Sequence, residues 1–400
     1  MTDFLIGRQQ ILDSKLNTFA YELLFRGDNF DLSVKEGATC ATNQVITDTI
    51  LEIGLNELVG PHYAFINFTA QNILEKTPLH LPKDRIVIEV LEDVAVDLRI
   101  INNLRELSAQ GYLIALDDFN LTPQWIPLLE IADIVKLDIL ANSLEETRRL
   151  IEKLKPYNLK LLAEKVETHE EFTLLQDWGC ELFQGFFFSK PKVVEGKRLG
   201  VGQAAAIQLL ATINKSDATI PDISHAITQD IGLTYKLLHY INSASFALPN
   251  KVESIQHAIS LLGLNEVRRW VNILTLSSMS TKPSSLLQNI LIRAKMCELL
   301  AHEVGEDQES YFLIGLLSSL DAILDQPLEQ ALHPLPLSSS VKNAILHKTG
   351  QGGEALQYAL DYEHWSIDNS NFCNIEHQRI SAIYLECLSW WSHTIYPLFG

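Results

Sequence analysis

Through the first 190 residues, short apolar runs recur, and each ends on an acidic, amide or basic side chain. In chain order they are FAYELLFR with Glu22, YAFINF with Asn67, RIVIEVLE with Glu89 and LIALDDF with Asp117 and Asp118. IVKLDIL with Lys136, LLAEKVE with Glu164 and Glu167, and LFQGFFF with Gln184 follow. Runs this rich in Ile, Leu, Val, Phe and Ala read as strands buried on both faces. Helix-like stretches lie between them, at 92–110, 144–155 and 170–178. Strand then helix, repeated, predicts parallel strands joined by crossover helices. With RQQIL near the N-terminus, about eight strands are counted, the number a closed (β/α)8 TIM-like barrel needs. About 190 residues is short for that fold, so some helices or loops must be reduced. An open doubly wound sheet is the competing arrangement.

From about Gly200 the rhythm changes. Segments 204–213, 223–231, 235–243, 255–262 and 265–274 carry apolar residues at i, i+3, i+4 spacing, and helical patterns continue to the C-terminus. The Pro, Gly and charge of KPKVVEGKRLGVG (190–202) mark a linker. The expected class is therefore α/β plus all-α, with a barrel domain at 1–192, a linker at 193–202 and a helical domain at 203–400. The chain's 400 residues accommodate two domains of ordinary size.

Charge and cysteines narrow the partners and the compartment. A formal net charge of -19 argues against direct nucleic-acid binding, which depends on Lys and Arg. It leaves room for a small anion held through metal ions, which bring their own positive charge. Cys40, Cys180, Cys297, Cys373 and Cys387 are widely spaced, as reduced thiols of a cytoplasmic protein are. No signal peptide and no 18-residue apolar stretch is found, so no membrane partner is expected.

A carboxylate or amide at the end of a buried strand is costly without a partner. One such residue is ordinarily a solvated rim group. A succession of them predicts convergence on one mouth, since a stable barrel needs no such ring. Glu22, Asn67, Glu89, Asp117 and Asp118 offer only oxygen donors, a set suited to Mg²⁺ or Mn²⁺ rather than Zn²⁺. Adjacent aspartates can serve two metals, and two metals can clamp a phosphodiester. Lys136 is then placed to orient a water and stabilise charge on phosphorus, and Glu164 to take the water's proton.

These residues resemble the EAL family of cyclic di-GMP phosphodiesterases. Glu22-Leu23-Leu24-Phe25-Arg26 is similar to its E-A-L-x-R signature, and Asn67 falls on its metal-binding Asn. Glu89-Val90-Leu91-Glu92 resembles E-x-T-E, and Asp117-Asp118-Phe119 the start of D-D-F-G. Lys136-Leu137-Asp138 is similar to K-x-D, and Ala163-Glu164-Lys165-Val166-Glu167 to A-E-G-V-E. Gln184-Gly185-Phe186 with Pro191 resembles the closing Q-G-x…P. The resemblance implies that Glu22, Asn67, Glu89 and Asp117 hold one metal, and Asp117 and Asp118 a second. Glu164 and Lys136 would be catalytic. Leu24, Arg26, Gln184 and Pro191 would bind the substrate, with Glu92, Asp138 and Glu167 supporting from behind. The implied reaction is hydrolysis of cyclic di-GMP to the linear dinucleotide pGpG. The alternative is a weak or inactive cyclic di-GMP receptor that signals through the helical half.

Two departures matter. After Phe119 the family has Gly and a short Gly/Ser-rich loop, which links the metal site to a dimer interface. Here Asn120-Leu121-Thr122-Pro123-Gln124-Trp125 follows, and Pro and Leu do not adopt the backbone that Gly permits. An altered loop, and a homodimer of atypical mode, are the expectation. Lys165 replaces a Gly beside Glu164, and is expected to be a solvated cation, the alternative being contact with a ligand phosphate.

The segment from Gln229 to Val271 resembles the HDOD domain, a relative of HD-type metal phosphohydrolases, through Asn242-Ser243-Ala244-Ser245-Phe246 and Ile255-Gln256-His257-Ala258-Ile259. HD enzymes hold metal with a His-Asp pair after an apolar G-L-L. Here Gly315-Leu316-Leu317 is followed by Ser318-Ser319, and hydroxyls are poor ligands beside imidazole and carboxylate. No metal is expected in this half. The resemblance implies a protein-interaction module of bacterial signalling, with an unidentified protein partner.

Overall fold

The computed structural model describes residues 4–27, 50, 53–119, 122–187, 190, 201–242, 251–280, 282–366 and 372–399. Eight strands close into a barrel in sequence order. They are β1 (Phe4–Asp13), β2 (Thr18–Gly27), β3 (Tyr63–Phe68) and β4 (Ile86–Val90), then β5 (Leu113–Leu116), β6 (Ile134–Asp138), β7 (Lys160–Glu164) and β8 (Leu182–Gln184). Every residue of β4 and β6 is buried, as their unbroken apolar patterns require.

The expectation of uniformly parallel strands is corrected at one place. Strands β2 to β8 pair in parallel, but β1 runs antiparallel to both β2 and β8. The reason is the connection. Only residues 14–17 join β1 to β2, whereas a parallel crossover takes about a dozen residues. Asp13 closes this hairpin, its Oδ1 accepting the backbone N–H of Lys15 and of Asn17, each at 2.8 Å.

The crossover helices start where capping residues stop the backbone from extending. Ser143 caps Leu144–Leu154 and Thr168 caps His169–Trp178, each in a capping box with a Glu three residues on. The helix expected from residue 92 runs Leu98–Ala109. Asp97 sets its start by accepting the N–H groups of Arg99 and Ile100. Between β5 and β6 a 3₁₀ turn, Ile126–Leu128, is the helical segment described, so this crossover is among those the short chain reduces.

One buried residue from each strand forms the barrel's interior cluster: Ile11, Ala20, Phe65, Val87, Ala115, Ile134, Leu162 and Leu182. This layer is the floor on which the polar groups of the next section stand.

The region from residue 201 is helical throughout its described part, beginning with Val201–Ile213, Ile220–Thr228, Ile231–Ile241, Ile255–Leu262 and Leu264–Met279. The helix expected at 223–231 ends at Thr228, because Asp230 caps the next one by accepting the Leu233 N–H at 2.9 Å. Ser284–Val304 packs closely on Gln308–Leu317. Gly315 allows it: a Cβ there would lie 2.6 Å from the Ala294 Cα. The chain divides into two compact units, one holding the barrel with residues 363–365 and 376–385, the other the remaining helices. Among the described residues, no helix is long and apolar enough to cross a membrane.

Candidate functional site

Side chains two apart on a strand share a face. Stepping two residues along each strand from the floor therefore reaches a second inward layer. Ala20 leads to Glu22, Phe65 to Asn67, Val87 to Glu89 and Ala115 to Asp117. Ile134 leads to Lys136, Leu162 to Glu164 and Leu182 to Gln184. On the reversed β1 the step runs backwards, from Ile11 to Gln9. Seven of these eight are residues read from the sequence. Gln9 is the one missed, and its signal was the short link at 14–17, which reverses β1 and so the direction of the step.

At the centre stands Lys136, 1% exposed. Its Nζ lies 2.8 Å from Glu164 Oε1, 2.9 Å from Asp117 Oδ1 and 3.5 Å from Glu22 Oε2, and it donates directly to Glu89. Four carboxylates thus face one ammonium, a formal excess of three negative charges. Burial pulls the Lys136 pKa down, but Glu22, Glu89, Glu164 and Asp117 together raise it well above the usual value, so it stays charged. Glu89 is fully buried. Desolvation first, and Glu22 next, push its carboxyl well above the carboxylate range. Burial likewise raises Glu164 to about 7, against the opposing pull of Lys136.

Gln184 locks the seam where the barrel closes. Its Nε2 donates to Glu22 Oε2 at 2.7 Å and to Gln9 Oε1 at 2.8 Å. Gly185 follows at φ +149, where a Cβ would meet the Val166 carbonyl at 2.1 Å, so the close approach of β7 and β8 admits only glycine. At the rim, the carboxylates of Glu92, Asp117 and Asp118 approach within 4.8 Å of one another. Burial, then Asp117, raises the Asp118 carboxyl.

The test for a metal is which oxygens remain unused. Asn67 Oδ1 and Glu89 Oε2 are buried and have no hydrogen-bond donor among the described residues. Such lone pairs are costly unless a cation meets them. With Glu22 and Asp117 they form an oxygen-only set that fits a hard divalent cation. Asp117, Asp118 and Glu92 form a second, more open group.

The remaining expected residues are placed as follows. Leu24 is half-buried on β2, two residues beyond Glu22 on the same face. Arg26 lies on β2, but its side chain, like Pro191, falls outside the described residues, as do Asn120 and Leu121. Glu167 is exposed, its backbone N–H donating to Glu171 at the start of a helix. Asp138 is buried, its Oδ1 accepting the N–H groups of Leu140 and Ala141 at 2.7 and 3.1 Å. Lys165 is exposed, as a solvated cation is, and it also donates to Asp138 Oδ2. Barrel closure sets the end of β7 beside the end of β6, with Asp138 and Glu164 in register. In the described part of the segment after Phe119, Trp125 is buried and sits edge-on to Phe119 at 6.2 Å.

In the helical region, the serines at the HD position face a buried cation. Arg293, 4% exposed, donates through Nη1 to Ser318 Oγ at 2.9 Å and Ser319 Oγ at 2.7 Å. Burial lowers the nearby Lys348 ammonium below its usual value, and the Arg293 charge adds to the effect. A buried Arg in a helix interior has no sequence signal that separates it from a solvated one.

The comparisons agree with this division. Family models match as an EAL domain at residues 51–191 and an HDOD domain at 202–332. Over 364 residues the chain is 34% identical to the cyclic di-GMP phosphodiesterase CdgJ of Vibrio cholerae, covering 90% of this chain and 84% of CdgJ. The chain belongs to the EAL–HDOD family. YuxH of Bacillus subtilis is also 34% identical, over 397 residues, covering 96% of this chain and 97% of YuxH. A solved EAL protein from Vibrio cholerae O395, in a cyclic di-GMP-bound form, is 26% identical with TM-score 0.37. It covers 47% of this chain and 92% of its own. The EAL match begins at residue 51, yet β1 and β2, with Gln9 and Glu22, complete the same barrel.

Proposed function

We propose that the EAL domain hydrolyses one phosphodiester bond of cyclic di-GMP, giving linear pGpG, with two divalent cations, Mg²⁺ or Mn²⁺. The observation that carries this reading is the ring of strand-end groups with two buried oxygens, Asn67 Oδ1 and Glu89 Oε2, left without a donor among the described residues. Glu22, Asn67, Glu89 and Asp117 would hold one cation, and Asp117 and Asp118 the other, with Glu92 at the rim. Bound cations supply Lewis acidity toward the phosphate oxygens and ease deprotonation of a water.

The chain's own groups do the rest. Glu164, its carboxyl raised to about 7, is tuned to accept a proton from the attacking water near neutral pH. Lys136 Nζ, 2.8 Å from Glu164, holds a fixed positive charge toward the charge that grows on the phosphate. Gln184 is clamped by Glu22 and Gln9, so its buried Oε1 is left to accept from a water or ligand N–H. Leu24, Arg26 and Pro191 would contact the dinucleotide. The HDOD domain is proposed to bind no metal, Arg293 standing at the serine pair, and to engage a protein partner in the cytoplasm.

A second reading is binding without turnover. It is favoured by the sequence after Phe119, where Asn120–Trp125 stand in place of the family's Gly-rich loop and Trp125 is buried against Phe119. The same replacement argues for a homodimer of atypical mode. Incubation with cyclic di-GMP and Mg²⁺ or Mn²⁺, followed by chromatography, separates the readings. Linear product that disappears in Glu22→Ala and Glu164→Ala supports hydrolysis. Tight binding with no product under Mn²⁺ overturns it in favour of the receptor.

A further inference from the structure

Lys165 occupies a backbone position that most residues avoid. Its φ is +57, the left-handed region, where a side chain costs about 1 kcal/mol relative to glycine. Its ammonium donates to Asp138 Oδ2, and Asp138 Oδ1 is already taken by two backbone N–H groups. Both oxygens of a strand-end carboxylate are therefore committed within the protein. The Phe119 N–H donates to the Lys136 carbonyl at 3.3 Å, which fixes Asp118 beside the end of β6, where Asp138 and its lysine stand. The hydrogen bond to Asp138 raises the Lys165 pKa above its usual value, and the charges of Asp118 and Glu164 add to the effect. Its side chain is 55% exposed, so this is a cation at the rim rather than one sealed in the ring.

We infer that Lys165 is a resident cation near the Asp117–Asp118 pair and weakens the binding of a divalent ion at this open rim. The inference rests on the two-cation reading above and deepens it. A fixed positive charge within several Å of a divalent ion, at the edge of solvent, changes its affinity by about tenfold. Lys136, bonded to Glu89 and 2.9 Å from Asp117, is the same in every variant, so the ion of the ring serves as the internal reference.

The test counts bound Mn²⁺ on the full chain, without nucleotide, by titration calorimetry and by the electron paramagnetic resonance signal of free Mn²⁺. The wild type is expected to bind one ion tightly and one weakly. Lys165→Met and Lys165→Gly should tighten the weak ion about tenfold and leave the tight one unchanged, while Lys165→Arg should behave as wild type. Lys165→Gly keeps the left-handed turn at lower backbone cost, so a folding defect in Lys165→Met is recognised. Equal weak-site affinity in wild type, Met and Gly overturns the inference and leaves the two-cation reading standing. Tightening in Lys165→Arg also overturns it, because the charge would then not be the cause. Absence of Mn²⁺ binding in all four proteins overturns both.

Discussion

The barrel mouth and the serine pair of the HDOD domain both place polar groups inside apolar protein, and they balance charge in opposite ways. Among the described residues, the mouth sets four carboxylates around a single ammonium and leaves two buried oxygens without donors. The helical site sets a buried guanidinium against two hydroxyls. The first arrangement is deficient in positive charge; the second carries its own. The difference teaches where a cation from solution can matter. A charge deficit built from rigid strand ends favours an ion, whereas an arginine already bonded to its partners repels one.

The largest expected effect breaks the barrel side alone. Glu164→Gln keeps the shape of the ring and removes the proton acceptor. Turnover of cyclic di-GMP should fall by about 10²- to 10⁴-fold, read as product formed per minute, with the far-ultraviolet circular dichroism unchanged. The next effect separates the regions directly. Mn²⁺ at a hundred times its dissociation constant should stabilise the barrel by about 2.7 kcal/mol against denaturant. Arg293→Met should leave that increment intact. If Mn²⁺ instead stabilises the Arg293→Met helices more than the barrel, the contrast collapses.

Arg293→Met itself removes charge-assisted hydrogen bonds to Ser318 and Ser319. It should cost the helical region about 1–3 kcal/mol, measured as a lower urea midpoint, and should leave catalysis per folded molecule unaltered. The smallest effect is in pH. In metal-free protein, the Glu164 carboxyl is raised above its unfolded value, so the folded chain binds more protons between about pH 4.5 and 7. Stability contributed by that proton is present at the acid end and is lost as pH rises through about 7. The slope is at most about 1.4 kcal/mol per pH unit per proton. Saturating Mn²⁺ should flatten or reverse that slope. An identical metal-free slope in Glu164→Gln would show that Glu164 is not the proton holder.

Much of this was legible because the strands state their own burial. Runs such as IVIEV and IVKLD are apolar on both faces, so a charged residue near their ends stands out, and seven of the eight inward positions were read that way. Gln9 escaped because RQQIL is polar on both faces and strand propensity carries no direction. The Lys165–Asp138 pair was illegible for another reason. Twenty-seven residues separate its partners, and only the adjacency of β6 and β7 brings them together. Arg293 lies among LIRAK, a pattern that a solvated helix face also satisfies.

The antiparallel first strand has a consequence for the order of events during folding. The β1–β2 hairpin is local and can form early. Its other edge is sealed by the three residues of β8, and the bonds from Gln184 to Glu22 and Gln9 span 162 and 175 positions of sequence. During synthesis Glu22 and Gln9 therefore emerge well before Gln184, the other half of the clamp. Until Gln184 arrives, Glu22 lacks the amide that fixes its orientation, and an incompletely synthesised barrel has no finished mouth with which to act.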